Sequence, residues 1–217
     1  MQKKIIALAI AGLASTAAFA QSNVTIYGRA DMGGMYRSTS SGAVQSGNGV
    51  GKYEIASGIQ GGSRIGFTAA APLETINGTS SRVSGTLSVN PSNLSSVSGR
   101  IEVPVSSLDT GVDLRDEHLH GSGWLDAARF PTAVFEITGV EGATALQPDV
   151  EARVTVVGRF TLHGQTRPVR AETRVKLVTT EGPQHLRVRS RFTVNLPSYG
   201  VTVPALVRAK VSDNITV

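Results

Sequence analysis

The chain has 217 residues, a net charge of +5 at pH 7 and no cysteine. The lack of cysteine excludes thiolate catalysis and cysteine-ligated metal sites. After Val24 no stretch approaches the roughly 20 consecutive apolar residues of a membrane-spanning helix. The length of the chain predicts a single domain with a substantial core.

The first 20 residues contain the three regions of a secretory signal in the correct order. Lys3 and Lys4 form a short basic region, Ile5 to Leu13 carries no charge, and Ala18 and Ala20 are small residues at the spacing that the cleavage pocket accepts. The apolar run is too short for a permanent membrane helix, although a membrane anchor or a buried first helix is the alternative. We predict cleavage after Ala20 and export to a bacterial periplasm.

Residues 21–62 differ in composition from the rest of the chain. Residues 24–31 alternate between apolar and polar side chains and predict a strand, whereas residues 33–62 are rich in glycine and serine and predict a mobile loop. A resemblance to the start of a Gram-negative general porin of the Burkholderiales and Neisseria type rests on the leader, on VTIYG at 24–28 and on SGIQGGSRIGF at 57–67. An outer-membrane β-barrel fragment is therefore an alternative, but the strands that follow are too few and too rich in arginine for a porin.

From about Arg64 onward the chain alternates between apolar and polar residues, with turn signals between the runs. Within one run, Val154 and Val156 fall on one face and Arg153 and Thr155 on the other. Strands are predicted at residues 82–89, 98–105, 133–139, 153–163, 170–177, 185–194 and 206–217, with 24–30 or 64–69 as a further strand. The pattern predicts an all-β fold, an eight-stranded antiparallel barrel with one apolar face and room for one ligand.

One segment, residues 116–129, favours helix over strand. We expect one or two short helical turns, broken at Gly121 and Gly123, that lie over an open end of the barrel. Arg115 and Asp116 are predicted to form an ion pair at the start of this segment.

Candidate catalytic and metal-ligating residues are few. His118 and His120 lie beside Asp116 and Glu117, but residues two apart do not share one face of a helix, and no second ligand cluster follows. Serine, histidine and aspartate are available for a small periplasmic hydrolase, yet the chain has no G-x-S-x-G elbow. We predict neither a metal site nor an enzyme, and the hydrolase stays an alternative.

Basic residues alternate with the apolar ones on the predicted outer face of two neighbouring strands. They are Arg170, Arg174, Lys176, Arg187, Arg189 and Arg191. Such a row either protects a sheet edge from pairing or contacts an anionic membrane surface, which a basic exported protein meets more readily than nucleic acid. No aromatic residues interleave with the row, so no nucleic-acid partner is predicted.

A family resemblance is carried by several motifs of the second part of the chain. They are VPVSSLDTG at 103–111, RDEHL at 115–119, WLDA at 124–127, FP at 130–131, GRFTLHGQTRPV at 158–169, YGV at 199–201 and KVSD at 210–213. In this order and spacing, residues 64–217 resemble the YceI-like family of periplasmic proteins. The resemblance implies a lipocalin-like eight-stranded barrel around an apolar tunnel. It also implies binding or carriage of a polyprenyl lipid or a ubiquinone-type quinone, without catalysis.

The expected organisation is a signal peptide at 1–20, a porin-like strand and loop at 21–62, and a YceI-like barrel at 63–217, as in a fusion or a chimera. The side chains predicted to line the ligand-binding interior are Phe67, Leu87, Ile101, Val103, Leu108, Leu119, Trp124, Leu125, Phe130, Phe135, Ile137, Val156, Phe160, Leu162, Val175, Leu177, Val188 and Phe192. A filled core is the alternative for the same faces. We expect a bound isoprenoid lipid or quinone, no required cofactor, and a monomer or homodimer.

Overall fold

The computed structural model describes residues 63–179 and 185–217, together with residues 51–55 as a strand. Eleven strands occur within these ranges: β1 (Gly51–Ile55), β2 (Ile65–Ala70), β3 (Thr75–Ser80), β4 (Ser84–Asn90), β5 (Asn93–Pro104), β6 (Thr132–Glu141), β7 (Glu151–Leu162), β8 (Gln165–Val178), β9 (His185–Arg191), β10 (Thr193–Asn195) and β11 (Asn214–Thr216). The same ranges contain one α-helix, α1 (Asp113–His120), and three short 3-10 helices at Val105–Ser107, Leu196–Tyr199 and Ala205–Val207. The predicted signal peptide and the predicted strand at 24–31 lie outside the described residues.

The strands form two antiparallel sheets that adjoin where β9 leads into β10. The larger sheet has the order β1-β4-β5-β6-β7-β8-β9, and the smaller has the order β10-β11-β2-β3. Phe192, between β9 and β10, exchanges two main-chain hydrogen bonds of 2.9 Å with Val217, so the chain passes from one sheet into the other. The result is a curled antiparallel half-barrel. The predicted all-β antiparallel fold is confirmed, and eight of the described strands have six residues or more.

The hairpin of β7 and β8 is the longest in the fold and follows its sequence pattern closely. Leu162 pairs with Gln165, and the two turn residues between them, His163 and Gly164, have φ angles of 49° and 71°. Positive φ at both positions gives the twist of a two-residue hairpin turn, and glycine adopts it without steric cost. The turn signal between these two predicted strands therefore coincides with a hairpin turn that fixes the register of β7 and β8.

The end of the chain differs from its prediction as one strand over residues 206–217. After Pro204 the backbone forms local turns, in which Val207 donates to Pro204 at 3.0 Å and Lys210 donates to Val207 at 2.8 Å. These local bonds replace a sheet ladder, so only Asn214–Thr216 joins the sheet as β11. Alternation along residues 206–217 predicted a strand. The prediction was wrong for most of the segment because alternation does not determine which partners the main-chain N–H and C=O groups bond.

The segment predicted as a loop over residues 33–62 also contains a strand. β1 pairs with β4 from Gly51 opposite Val89 to Ile55 opposite Gly85. Strand β1 forms the first edge of the larger sheet. β3 was not predicted at all, and its pairing with β2 forms the outer part of the smaller sheet.

Helix α1 is shifted toward the N-terminus relative to the prediction over 116–129. It begins at Asp113, and acidic Asp113 and Asp116 lie in its first turn, where a helix favours negative charge. The helix ends at the predicted break, where the backbone of Gly121 is extended (φ −69°, ψ 166°) and its N–H donates to the carbonyl oxygens of Glu117 and His118 at 3.0 and 3.1 Å. No helix among the residues that the structure describes is long and apolar enough to cross a bilayer.

Candidate ligand-binding chambers

The larger sheet curves around an apolar cavity of about 200 Å³, called here the narrow chamber. Its wall comes from the inward residues of β4 to β9 and from the start of β2. The predicted site residues in this wall are Leu87, Ile101, Val103, Phe135, Ile137, Val156, Phe160, Val175, Val188 and Phe192. Most of its lining is aliphatic because period-two strands direct alternate side chains to the same face.

A second cavity, called here the wide chamber, measures about 620 Å³. Its wall combines the smaller sheet with helix α1, the turns after it and the chain around the last 3-10 helix. The predicted site residues in this wall are Phe67, Val103, Leu108, Leu119, Trp124, Leu125, Phe160 and Leu162. Its volume lies within the range of about 300–1,000 Å³ that is usual for ligand pockets.

The two chambers adjoin each other along the barrel. Ile65, Val103, Ala133, Phe160 and Val217 belong to both walls. Along β7 the order is Val154 and Val156 in the narrow chamber, then Phe160 in both, then Leu162 in the wide chamber. At about 3.3 Å per residue, the strand from Val154 to Leu162 is about 26 Å long. The chambers therefore lie end to end along β7, with the Phe160 ring between them.

Phe160 lies in an aromatic cluster at the boundary between the chambers. Its ring centroid is 5.2 Å from that of Phe192 and 5.8 Å from that of Tyr199, both in edge-to-face arrangements. Phe135 packs on Phe192 at 5.5 Å. Such contacts add to the free energy of burial and hold the rings in place.

Two glycines make room for aromatic rings beside the chambers. A Cβ atom at Gly158 would lie 2.4 Å from the carbonyl oxygen of Glu136 and 2.9 Å from the Phe135 ring. A Cβ atom at Gly78 would lie 2.1 Å from the Phe67 ring. Each ring therefore lies across the neighbouring strand, where any larger residue would displace it.

Polar side chains line both chambers, and Arg64, Thr68, Arg191 and Thr216 lie in the wall of the narrow one. In the narrow chamber Thr173 and Ser190 hydrogen-bond to each other at 2.7 Å, so neither hydroxyl lacks a partner. In the wide chamber Arg115 donates to Glu74 at 2.8 Å and to the Thr110 hydroxyl at 3.0 Å.

The residues around Arg115 correct one prediction. Asp116 does not pair with Arg115, because its Oδ1 accepts from the main-chain N–H and the hydroxyl of Thr110 at 2.9 and 2.6 Å. Arg115 instead crosses to Glu74 of the smaller sheet. His118 and Lys210 also line this chamber, so its rim contains both donors and acceptors.

Two of the predicted site residues do not line either chamber. Leu177 is buried within the aliphatic core cluster at the far end of β8. Phe130 lies outside both walls, with its ring 4.5 Å from His163 and against Gly164. Phe130 follows a turn, so strand alternation did not determine its direction. Contact of the remaining residues with a ligand stays a prediction.

Sequence reasoning missed a group of wall residues, some in strands and some in the segments that connect them. They include Leu94, Val97, Leu146, Ile76, Val207, Val211 and Ile215. Leu146 illustrates the difficulty, since it enters the core from the connection between β6 and β7 and is held by a main-chain bond of 2.7 Å to Pro91. An isolated apolar residue in a connection was the only signal available.

Two of the histidines hydrogen-bond to main-chain carbonyl oxygens. His120 Nε2 lies 2.8 Å from the Leu108 carbonyl oxygen, and His163 Nδ1 lies 3.1 Å from that of Tyr199. Within residues 63–179 and 185–217, no three histidine or acidic side chains gather as metal ligands. These two imidazoles fix loops to their neighbours.

The outer face of the larger sheet changes character from β5 to β9. Near β6 the charges alternate, since Glu136 accepts from Arg100 at 2.7 Å and from Arg159 at 2.9 Å. Farther along, Arg174 lies opposite Arg153 on one side and Arg189 on the other. The predicted basic row therefore exists, although Arg170 pairs with Glu141, and this hydrogen bond lowers the pKa of Glu141 and raises that of Arg170.

Comparison with known sequences identifies the domain. The profile of the YceI-like domain matches residues 59–217. A UPF0312 protein of Vibrio cholerae is 33% identical over 94 residues, which are 43% of this chain and 47% of that protein. A UPF0312 protein of Yersinia pestis is 35% identical over 75 residues, 35% of each chain. The alignable region thus spans about half or less of these curated relatives.

Solved structures share the fold at low sequence identity. Burkholderia cenocepacia BcnA aligns with a TM-score of 0.57 at 17% identity, over 70% of this chain and 91% of that one. A polyisoprenoid binding domain from Saccharophagus degradans aligns with a TM-score of 0.52 at 12% identity, over 70% and 87%. The Campylobacter jejuni YceI protein gives 0.55 at 14% identity, over 65% and 80%. With the profile match and the half-barrel together, the chain belongs to the YceI-like domain family.

Proposed function

We propose that this protein binds the hydrocarbon chain of a long isoprenoid lipid in the two joined chambers. The observation that carries the proposal is the pair of adjoining apolar chambers along β7, on either side of Phe160. Two chambers placed end to end over about 26 Å of strand suit an extended chain better than a compact ligand. The Saccharophagus degradans domain of the same fold is a polyisoprenoid-binding domain, which supports this ligand class.

Affinity for such a chain arises from buried area, because an isoprenoid tail has no hydrogen-bonding groups. Each Å² of apolar surface removed from water contributes roughly 25 cal/mol. The narrow chamber is too small for a whole ligand but comparable with engineered cavities of about 150 Å³ that hold benzene. It would therefore take the end of the chain, with the bulk of the ligand in the wide chamber.

A polar head group would lie at the rim of the wide chamber. Arg115, Thr110, His118 and Lys210 supply donors there, and Glu74 holds the Arg115 guanidinium in position. A quinone needs only one or two donors to orient its carbonyl oxygens. The finer proposal is thus a ubiquinone-type quinone or a polyprenyl lipid, carried in the periplasm and in contact with an anionic membrane surface.

Binding without catalysis is the corresponding proposal for activity. The hydrogen bonds of His120 and His163 go to main-chain oxygens rather than to a serine or an aspartate. A nucleophile needs a neighbouring base to react. These two histidines therefore offer no activated serine to the hydrolase alternative.

The direct test is native mass spectrometry of the full chain purified from its own host, followed by solvent extraction and identification of the lipid. We expect a bound species whose mass matches a polyprenyl lipid or a quinone. A protein that carries no lipid and takes up no added quinone would contradict the proposal.

A matched pair of variants on β7 distinguishes a loss of space in the narrow chamber from a general loss of stability. Val156→Trp adds bulk on the inner face, whereas Val157→Trp adds the same bulk on the opposite face of the same strand. We expect the first variant to lose most of its bound lipid, or to retain only a shorter chain, and the second to keep it. Equal lipid content in two folded variants would argue against binding in the narrow chamber.

A further inference from the structure

Large apolar side chains stand exposed around the opening of the wide chamber. Among the residues that the structure describes, five such side chains are prominent, with exposed fractions of 97% for Leu206, 74% for Leu73, 62% for Leu114, 52% for Val150 and 46% for Val112. Four of the five border the wide chamber. Single exposed apolar residues are ordinary, but a contiguous group marks an interaction surface.

The contacts of these residues place four of them on one rim. Val112 and Leu114, at the start of α1, line the wide chamber themselves. Leu206 lies between Pro204 and Val207, both of which line the chamber. Leu73 joins the same rim from the β2–β3 turn, since its N–H donates to the Ala209 carbonyl oxygen at 2.9 Å. Leu73 and Leu206 thus lie on adjoining segments.

The rim has a basic side and an acidic side. Residues 204–211 contain Arg208 and Lys210, both exposed, and no acidic residue. The Arg208 Nε donates to the Val203 carbonyl oxygen at 3.3 Å, which keeps the guanidinium beside the rim. On the side of α1, Asp113 and Glu117 are exposed. Negative charge at the partner surface would therefore meet residues 204–211 rather than the helix.

We propose that this rim, defined by Leu73, Val112, Leu114 and residues 204–211, docks on a bilayer that contains anionic phospholipid. Leu206 and Leu73 enter the interface between head groups, and Arg208 and Lys210 contact lipid phosphates. Basic side chains near an anionic leaflet and apolar residues beside them are the two components of peripheral membrane binding. The proposal rests on the proposed function in one respect, since the chamber opening then faces the membrane from which an isoprenoid chain would enter.

The test is flotation of the full chain with phosphatidylcholine vesicles that contain or lack phosphatidylglycerol. We expect Leu206→Glu to weaken vesicle binding about tenfold or more, the factor expected when one leucine side chain loses an apolar environment. Leu206 is almost fully exposed, so this change removes no packing. Arg208→Gln together with Lys210→Gln should abolish the preference for phosphatidylglycerol and leave weaker binding to both vesicle types.

Val150 provides the control, because it is also an exposed apolar residue, at 52% against 97% for Leu206, but immediately precedes β7 at the end of the strand opposite Leu162. The 12-residue strand spans about 36 Å. Val150→Glu should bind vesicles like the unmodified chain. Equal weakening by Val150→Glu and Leu206→Glu would overturn the proposal.

Three further outcomes would also overturn it. They are absence of vesicle binding, loss of binding on Arg174→Glu of the outer sheet face but not on Leu206→Glu, and conversion of a dimer to a monomer by Leu206→Glu, which would make the rim a subunit interface. Identification of the lipid extracted from the same samples distinguishes failure of the docking proposal from failure of the proposed function. Bound isoprenoid without vesicle binding contradicts only the docking surface, whereas vesicle binding without isoprenoid contradicts only the proposed ligand.

Discussion

The narrow chamber and the wide chamber differ in the kind of chain that encloses them. Regular strands form most of the narrow chamber, so its wall is mainly a repeat of alternate aliphatic side chains, with Arg64 and Arg191 also among its lining residues. A helix, several turns and a small sheet form much of the wide chamber, which is about three times larger. Regular structure thus yields a tight slot, and irregular structure yields space.

The largest expected effect comes from removing the boundary between the two chambers. Phe160→Ala deletes a buried ring that belongs to both walls and packs on Phe192 and Tyr199. We expect a loss of about 3–5 kcal/mol in the free energy of unfolding, measured by urea denaturation. Phe130→Ala is the control, because that ring lies outside both chambers and is only partly buried. A larger loss for Phe130→Ala would contradict the role given to Phe160.

An intermediate effect is expected from overfilling the sheet around the narrow chamber. Gly158→Ala brings a Cβ atom within 2.4 Å of the Glu136 carbonyl oxygen and against the Phe135 ring. We expect a loss of about 1–3 kcal/mol in thermal or urea unfolding. Gly139→Ala on the neighbouring strand is the control, since a Cβ atom there meets nothing within 4 Å. Equal stability of the two variants would contradict this prediction, because it would mean that the Phe135 ring moves aside at no cost in free energy.

The smallest effect is a pH dependence of stability that arises at Tyr199, beside the wide chamber. Tyr199 is buried in an apolar cluster with Phe160 and Leu196, and burial raises the pKa of its phenol although Arg167 opposes the shift. The folded state therefore disfavours the tyrosinate, so the stability associated with this group is present below about pH 10 and is lost as the pH rises toward the raised pKa.

We expect Tyr199→Phe to remove this contribution. The difference in unfolding free energy between the unmodified chain and the variant should be constant from pH 7 to about pH 9 and should move in favour of the variant above about pH 10. Urea denaturation at several alkaline pH values measures it. A difference that does not change with pH would contradict a buried phenol that resists ionisation.

The two chambers also differ in how far the sequence predicts them. All ten predicted site residues of the narrow chamber come from the strands and their continuation at Phe192, where period-two alternation is a reliable guide to the inward face. In the wide chamber the prediction included Trp124 and Leu125 only through the family motifs. It missed Val207 and Val211 because residues 206–217 read as a strand, whereas the chain there closes local turns.

By itself the sequence determined the antiparallel all-β fold, the break of the helix at Gly121, the hairpin turn at His163 and Gly164, and the family. These features depend on alternation, turn residues and motif spacing, which are local properties of the chain. Only the tertiary structure decided that Phe160 divides the cavity, that Phe130 lies outside it, and that Leu73 and Leu206 share one rim. The curvature of the sheet and contacts between distant segments determine where apolar faces leave a space, and no local pattern encodes that.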